Sequence, residues 1–342
     1  MKAFLGALTL SAGVAMVGVH AQPAESTPAG VKSSAKSVPD RNVLHVQVIL
    51  DKLGFGPGVL DGRGGQSLVA ALKGFQESRG LPVTGKTDPA TLHALYPYRA
   101  VRPTVTLALS EAALAGPYLN PTPKEYSDQA KLKIVPYRTP IEKLAEMFHT
   151  TPAMLVALNP AGTRLTPGQK VVFPNALPSS RDYPAEVKDG WRATLNGLNV
   201  DARQPKGEKI VVDKSDGVLR VLDAEGKLVA QFSATMGSRT DPLPLGDWKV
   251  LGVAPNPDWR MTPTLLKGVK DSKKTQLIPP GPNNPVGVVW IDLSKEHYGI
   301  HGTDEPQRIG RAESNGCIRL TNWDAARLAL IVKAGTPALF QA

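Results

Sequence analysis

Residues 298–320 read YGIHGTDEPQRIGRAESNGCIRL, and this stretch decides the interpretation of the whole chain. It holds Cys317, the only cysteine among 342 residues. A lone cysteine cannot form an internal disulfide. It is either a small buried hydrophobe or a reagent, and only its thiolate is nucleophilic, so a reagent needs a base beside it. Of the six histidines, His20 lies in the leader and His45, His93 and His149 lie in upstream modules. His297 and His301 remain, and His301 sits at the end of a short predicted strand, where a scaffold presents side chains to a site. Pro306, Gly310 and Gly316 let the intervening chain loop back and bring His301 to Cys317. Gly316 lets substrate approach the backbone closely. Neighbouring N–H groups can hold an oxyanion, and Arg319 can clamp a carboxylate.

Outward from this stretch the pattern is one of short strands. Strands are predicted at Lys209–Asp213, around Leu219 and Val221, and at Lys227–Thr235, the last two joined by the Asp223–Gly226 turn. Others follow at Gly246–Val253, Val286–Leu293, Tyr298–His301 and Gly335–Phe340, with one helix over Asp324–Val332. Such a run predicts a mostly-β sandwich within a multidomain α+β chain.

Residues 207–342 resemble the L,D-transpeptidase catalytic domain family of bacterial cell-wall enzymes. The likeness rests on Pro244-Leu245-Gly246, Pro280 to Gly287, Tyr298 to Thr303, Ile309-Gly310, Ser314 to Leu320 and Ala334 to Pro337. It implies Cys317 as nucleophile, His301 as base and the Gly302 carbonyl as the group that orients the imidazole. It also implies substrate contacts from Ser314, Asn315, Gly316 and Arg319. Asn315 departs from the His or Arg usual in the family. The implied reaction is attack of Cys317 on a stem tetrapeptide, loss of D-Ala, and transfer of the acyl group to an amine of another stem or of a protein. Water as acceptor would make an L,D-carboxypeptidase at the same site, and a non-catalytic wall-binding scaffold is the rival of another class.

Residues 41–97 carry apolar stripes at helical spacing, Val43/Val46/Leu50/Leu53 and Leu68/Leu72/Phe75. Asp88-Pro89 reads as the cap and first turn of a third helix. This three-helix stretch resembles the peptidoglycan-binding domain, through Leu53-Gly54-Phe55, Asp61-Gly62, Phe75-Gln76 and Gly80-Leu81-Pro82. Residues 131–176 predict a strand at Lys131–Val135, two helices and a closing strand at Val171–Phe173. This βααβ unit is similar to the glycan-binding LysM module through Leu158-Asn159-Pro160 and Leu165 to Gln169. It departs from that family at Pro136-Tyr137-Arg138-Thr139, the loop that commonly faces the sugar. Residues 22–40, 98–130 and 177–206 read as linkers.

Residues 1–21 read as a cleaved signal peptide. Lys2 precedes an apolar run, and Val19-His20-Ala21 gives a small–x–small cleavage pattern. Export to the periplasm or cell wall follows, with no stable membrane insertion after cleavage. The formal charge of +10 suits an anionic polymer or surface. Without a long basic run or basic–aromatic interleaving, nucleic acid is excluded as a partner. Peptidoglycan stem peptides and glycan are the expected partners. No metal or other cofactor is expected, because two histidines and one cysteine make no ligand set.

Overall fold

The computed structural model describes residues 39–239, 241–263, 274–311 and 316–342. The leader and most of the first linker lie outside these residues, as do Ser314 and Asn315. Helix α1 (Arg41–Lys52) begins where the Asp40 carboxylate accepts from the Asn42 and Val43 amides, satisfying donors that an α-helix leaves free. It leads through Gly54, at φ +83°, into a two-residue strand β1 (Phe55–Gly56). Helices α2 (Gln66–Ser78) and α3 (Pro89–Leu95) complete the bundle, the latter capped by Asp88 as its sequence predicts. Phe75 lies at its centre, edge-on to Phe55.

The middle segment departs from expectation. Lys131–Val135 forms no strand. The first strand is β2 (Thr104–Ala108), inside the stretch that reads as a linker, and it pairs antiparallel with β3 (Lys170–Pro174). Its period of two spans only five residues, and the Pro-rich flanks mask it. Between the two strands lie the short helices α4 (Glu111–Leu114) and α5 (Tyr126–Gln129), then α6 (Pro140–Met147) and α7 (Pro152–Leu158). Thr139 and Thr151 cap the last two. Residues 115–138 thus form an insertion between β2 and α6. The insertion packs against the catalytic region: Val135 exchanges backbone hydrogen bonds with Pro280 and Asn283, and Val135 shares an apolar cluster with Met261 and Ile278.

The third linker is also structured. Helix α8 (Asp189–Gly197) sends Trp191 and Leu195 into the largest core. Strands β4 (Lys209–Asp213), β5 (Val218–Leu222), β6 (Leu228–Ser233), β7 (Thr235–Met236), β8 (Gly246–Pro255), β9 (Trp259–Met261), β10 (Gln276–Ile278), β11 (Val289–Leu293), β12 (Gly299–His301) and β13 (Ile318–Arg319) follow. Helix α9 (Asn322–Ile331), capped by Thr321, and strand β14 (Pro337–Gln341) end the chain. Strands β9 and β10 pair as a separate ribbon. The rest, with β1, make a mixed sheet of order β1-β6-β5-β4-β14-β8-β11-β12-β13-β7 among the described residues. In place of two separate sheets, hydrogen bonding runs through one sheet. Because β7 continues β6 after a single residue, its two ends meet and the sheet rolls around Phe232, Ile291, Ile300 and Trp323.

The modules are not beads on linkers. All described residues fall in one compact unit. Strand β1 adds to the sheet in parallel beside β6, and Leu228 of β6 belongs to the helical bundle's core. Beneath that junction lies a buried ionic cluster. Arg327 of α9 grips Asp51 of α1 with two bonds, 2.8 and 2.9 Å, and reaches Asp324 at 3.1 Å. His149, just after α6, contacts Asp51 through Nδ1 at 3.0 Å and the Leu198 carbonyl through Nε2 at 2.7 Å, and stacks on Trp323. Burial alone would raise the Asp51 pKa, but Arg327 and His149 hold it below the carboxylate range. Asp324, with less of the guanidinium, is pushed up to about 6 by burial. Asp51, His149 and the Asp324–Arg327 pair, from three modules, therefore meet in a single desolvated knot.

Candidate active site

Strands β11, β12 and β13 lie side by side, and their registers build the site. Across the parallel pair β12–β13, His301 lies opposite Arg319 and Ile300 opposite Ile318. Across the antiparallel pair β11–β12, Trp290 lies opposite His301. Side chains alternate between the two faces of a strand, so both isoleucines point into the core, where each is fully buried. Trp290, His301 and Arg319 therefore share the opposite face, and Cys317, two residues before Arg319, belongs to it. All four line a cleft of about 720 Å³. The far wall includes Tyr126 of the middle module's insertion, edge-on to Trp259 with ring centroids 5.3 Å apart.

His301 is closely held. Its ring stacks on Trp290, and its Nδ1 donates to the Gly302 carbonyl at 2.7 Å. A carbonyl can only accept, so the neutral ring carries its proton on Nδ1 and offers the Nε2 lone pair. Burial, with the charge of Arg319, lowers the His301 pKa to about 3. Burial pushes the Cys317 thiol up, against the pull of the Gly299 backbone and Arg319. Both groups thus rest neutral, the thiol protonated and the imidazole uncharged.

Gly316 is needed for a reason the sequence does not reveal. It has φ +85°, and a Cβ there would lie 2.6 Å from the Tyr298 ring. Its missing side chain makes room for Tyr298. Tyr298 in turn donates to Asp241 at 3.3 Å. Gly302 is equally constrained, since a Cβ there would fall 2.0 Å from Asn322 Oδ1. Sequence reasoning missed Trp290, Tyr126 and Trp259. Trp290 was findable, because it sits in phase with the alternation of VVWIDL. Tyr126 was not, because it lay in an apparent linker.

Two acids near the site are unusual. Glu146 of α6 is buried against Asn322 and Tyr137, and burial raises its pKa to about 7. Asp304 is raised to about 6 by burial and Glu305, although Arg138 bridges to it at 3.2 Å. For Glu146 the sign is fixed: a folded pKa above the unfolded value of 4.5 means that stability is lost as pH rises through 7. His301, lowered in the fold, works in the opposite direction between pH 3 and 6.5. A comparison with Glu146→Gln cancels the histidine. The variant is expected to gain on the order of 3 kcal/mol relative to wild type between pH 5 and pH 8. Denaturant unfolding at both pH values checks this, and equal differences at the two would rule it out.

Among the described residues no group of three or more His, Cys, Asp or Glu side chains is placed to hold a metal ion, and no helix is long and apolar enough to cross a membrane.

A cysteine, a tautomer-fixed histidine and an arginine thus share one cleft face. Residues 207–339 match the family described as "L,D-transpeptidase catalytic domain", and residues 39–95 match "Putative peptidoglycan binding domain". Two relatives carry the name "Putative L,D-transpeptidase YkuD". The one from Bacillus licheniformis is 29% identical over 57% of this chain and 90% of its own length. The one from Bacillus subtilis is also 29% identical, over the same shares of both chains. A crystal structure of an L,D-transpeptidase from Xylanimonas cellulosilytica is 16% identical, covers 89% of this chain and 97% of that chain, and has a TM-score of 0.36. Residues 207–339 thus belong to the L,D-transpeptidase catalytic domain family, and an N-terminal peptidoglycan-binding domain precedes them.

Proposed function

We propose that the enzyme cross-links peptidoglycan by acyl transfer through Cys317. The observation that carries this reading is the shared cleft face of Cys317, His301 and Arg319, with the His301 proton fixed on Nδ1 by Gly302. As the sulfur attacks the stem carbonyl before the terminal D-Ala, the thiol proton passes to His301 Nε2. The tetrahedral intermediate collapses, the C–N bond breaks, and His301 returns the proton to the departing D-Ala amine. A thioester remains. An acceptor amine then attacks it, gives a proton to His301, and expels the thiolate, which takes that proton back. Arg319 is assigned to a substrate carboxylate, because its Nε is buried at the cleft without a hydrogen-bond partner. The backbone N–H groups around Gly316 and Cys317, with Ser314 and Asn315, are assigned to the substrate side of the same site.

Residues 104–174 serve in this reading as a docking element more than as a LysM-type sugar reader. Their Pro136–Thr139 loop turns inward, with Arg138 paired to Glu142 and Asp304 and Tyr137 bonded to Glu146. Work at the exported cell wall, through the leader pattern of residues 1–21, belongs to the same proposal. Purified tetrapeptide muropeptides incubated with wild type and with Cys317→Ala test it by mass spectrometry. Wild type is expected to yield dimers and free D-Ala, and the alanine variant neither. Tripeptide without dimers would reassign the acceptor to water, and product from Cys317→Ala would overturn the mechanism.

A further inference from the structure

The base in this proposal depends on the Gly302 peptide, and that peptide has an unusual neighbour. Asn322, at the start of α9, is fully buried. Its Oδ1 is wedged between two glycines. A Cβ on Gly287, at φ +64°, or on Gly302 would lie 2.0 Å from it. The same oxygen accepts from the Val288 amide at 3.1 Å. The other end of the amide donates to Glu146 Oε1 at 2.8 Å and to the Pro282 carbonyl at 3.2 Å. Glu146 is therefore the one side-chain partner among three groups, with the Val288 N–H and the Pro282 carbonyl, that fix which way the Asn322 amide points. A flipped amide would set its NH₂ against the Val288 N–H and lose both bonds.

Glu146 comes from α6, outside the matched catalytic domain at 207–339. It does not line the cleft. From it a continuous line of contacts runs to Asn322, to the Gly302 backbone, and through the Gly302 carbonyl to His301 Nδ1. We propose that Glu146 is a positioning residue for the catalytic base. By fixing the Asn322 amide between Gly287 and Gly302, the middle module holds the carbonyl that sets the His301 tautomer and ring plane. The proposal rests on His301 being the base. Partners of this kind, one shell behind a reacting group, typically change activity about 10–100-fold when lost, as they do behind metal ligands.

Two conservative variants of the full chain test it. Glu146→Gln keeps an acceptor oxygen at the same reach and loses the charge. Glu146→Asp keeps the charge and falls short of Asn322 by one methylene. Glu146→Gln is expected to keep kcat within about threefold of wild type, and Glu146→Asp to lose about 10–100-fold in kcat with KM within about twofold. In ¹⁵N-labelled enzyme the downfield His301 Nδ1–H resonance should persist in the glutamine variant and shift or broaden in the aspartate variant. A Glu146→Asp enzyme with wild-type kcat and an unmoved resonance overturns the proposal. So does an equal kcat loss in both variants that tracks their melting temperatures, since that is mere destabilisation. Wild type and Cys317→Ala run alongside keep the two readings apart. If Cys317→Ala makes product, the acyl-transfer mechanism fails. If it is inert while Glu146→Asp is fully active, only the positioning role fails.

Discussion

A His301→Gln enzyme is expected to lose about 10²–10⁴-fold in kcat, the usual contribution of a positioned general base. The neutral resting pair is what makes the loss large. Burial keeps the Cys317 thiol protonated, and the His301 pKa of about 3 means that no imidazolium sits ready to stabilise a thiolate. The proton must leave during attack, so removing Nε2 removes the route. Glutamine is close in size and neutral, as the resting imidazole is, so the fold should survive. Single-turnover acylation by a β-lactam of the carbapenem class, followed by mass, measures the step directly. Raising the pH should partly rescue the variant, because solvent then supplies thiolate. A variant that acylates at the wild-type rate at neutral pH would exclude His301 as the base.

Asp51→Ala should cost about 3–5 kcal/mol of stability, the range for removing one partner of a buried ion pair. Arg327 would keep its charge with only Asp324 to answer it, and His149 would lose its carboxylate. The loss should lower the melting temperature by roughly 5–15 °C. Because Asp51 lies in the bundle, His149 in the middle module and Arg327 in the catalytic region, the loosening should be felt in all three. Amide exchange should rise in α1, α6 and α9 together. Exchange confined to α1 would mean that the modules are coupled by something else.

These long-range couplings explain what could be read in the sequence. That the segments of His301 and Cys317 come together was legible because β12 and β13 are consecutive strands and neighbours in the sheet. The Asp88 and Thr321 caps were legible because capping is set within four residues. Asp51 and Arg327 are 276 positions apart, and nothing in either neighbourhood points to the other. Strand β2 was hidden because its partner lies across a long insertion and its own pattern is five residues long. Helix α8 could have been found, since Trp191, Leu195 and Leu198 keep helical spacing. The absent side chain at Gly316 was noted in the sequence and that at Gly302 was not, and neither packing cause was visible, because Tyr298 and Asn322 fill the spaces from outside the glycines' own segments.

The two-residue strand β1 has a last consequence. It occupies Gln231 and Phe232 of β6, and at the opposite end β7 rejoins the same stretch of chain. Unpaired strand edges are templates that recruit any extended peptide they meet. A short strand laid along such an edge removes part of the template. By laying two residues of the helical bundle along β6, the fold hems that part of the sheet's edge.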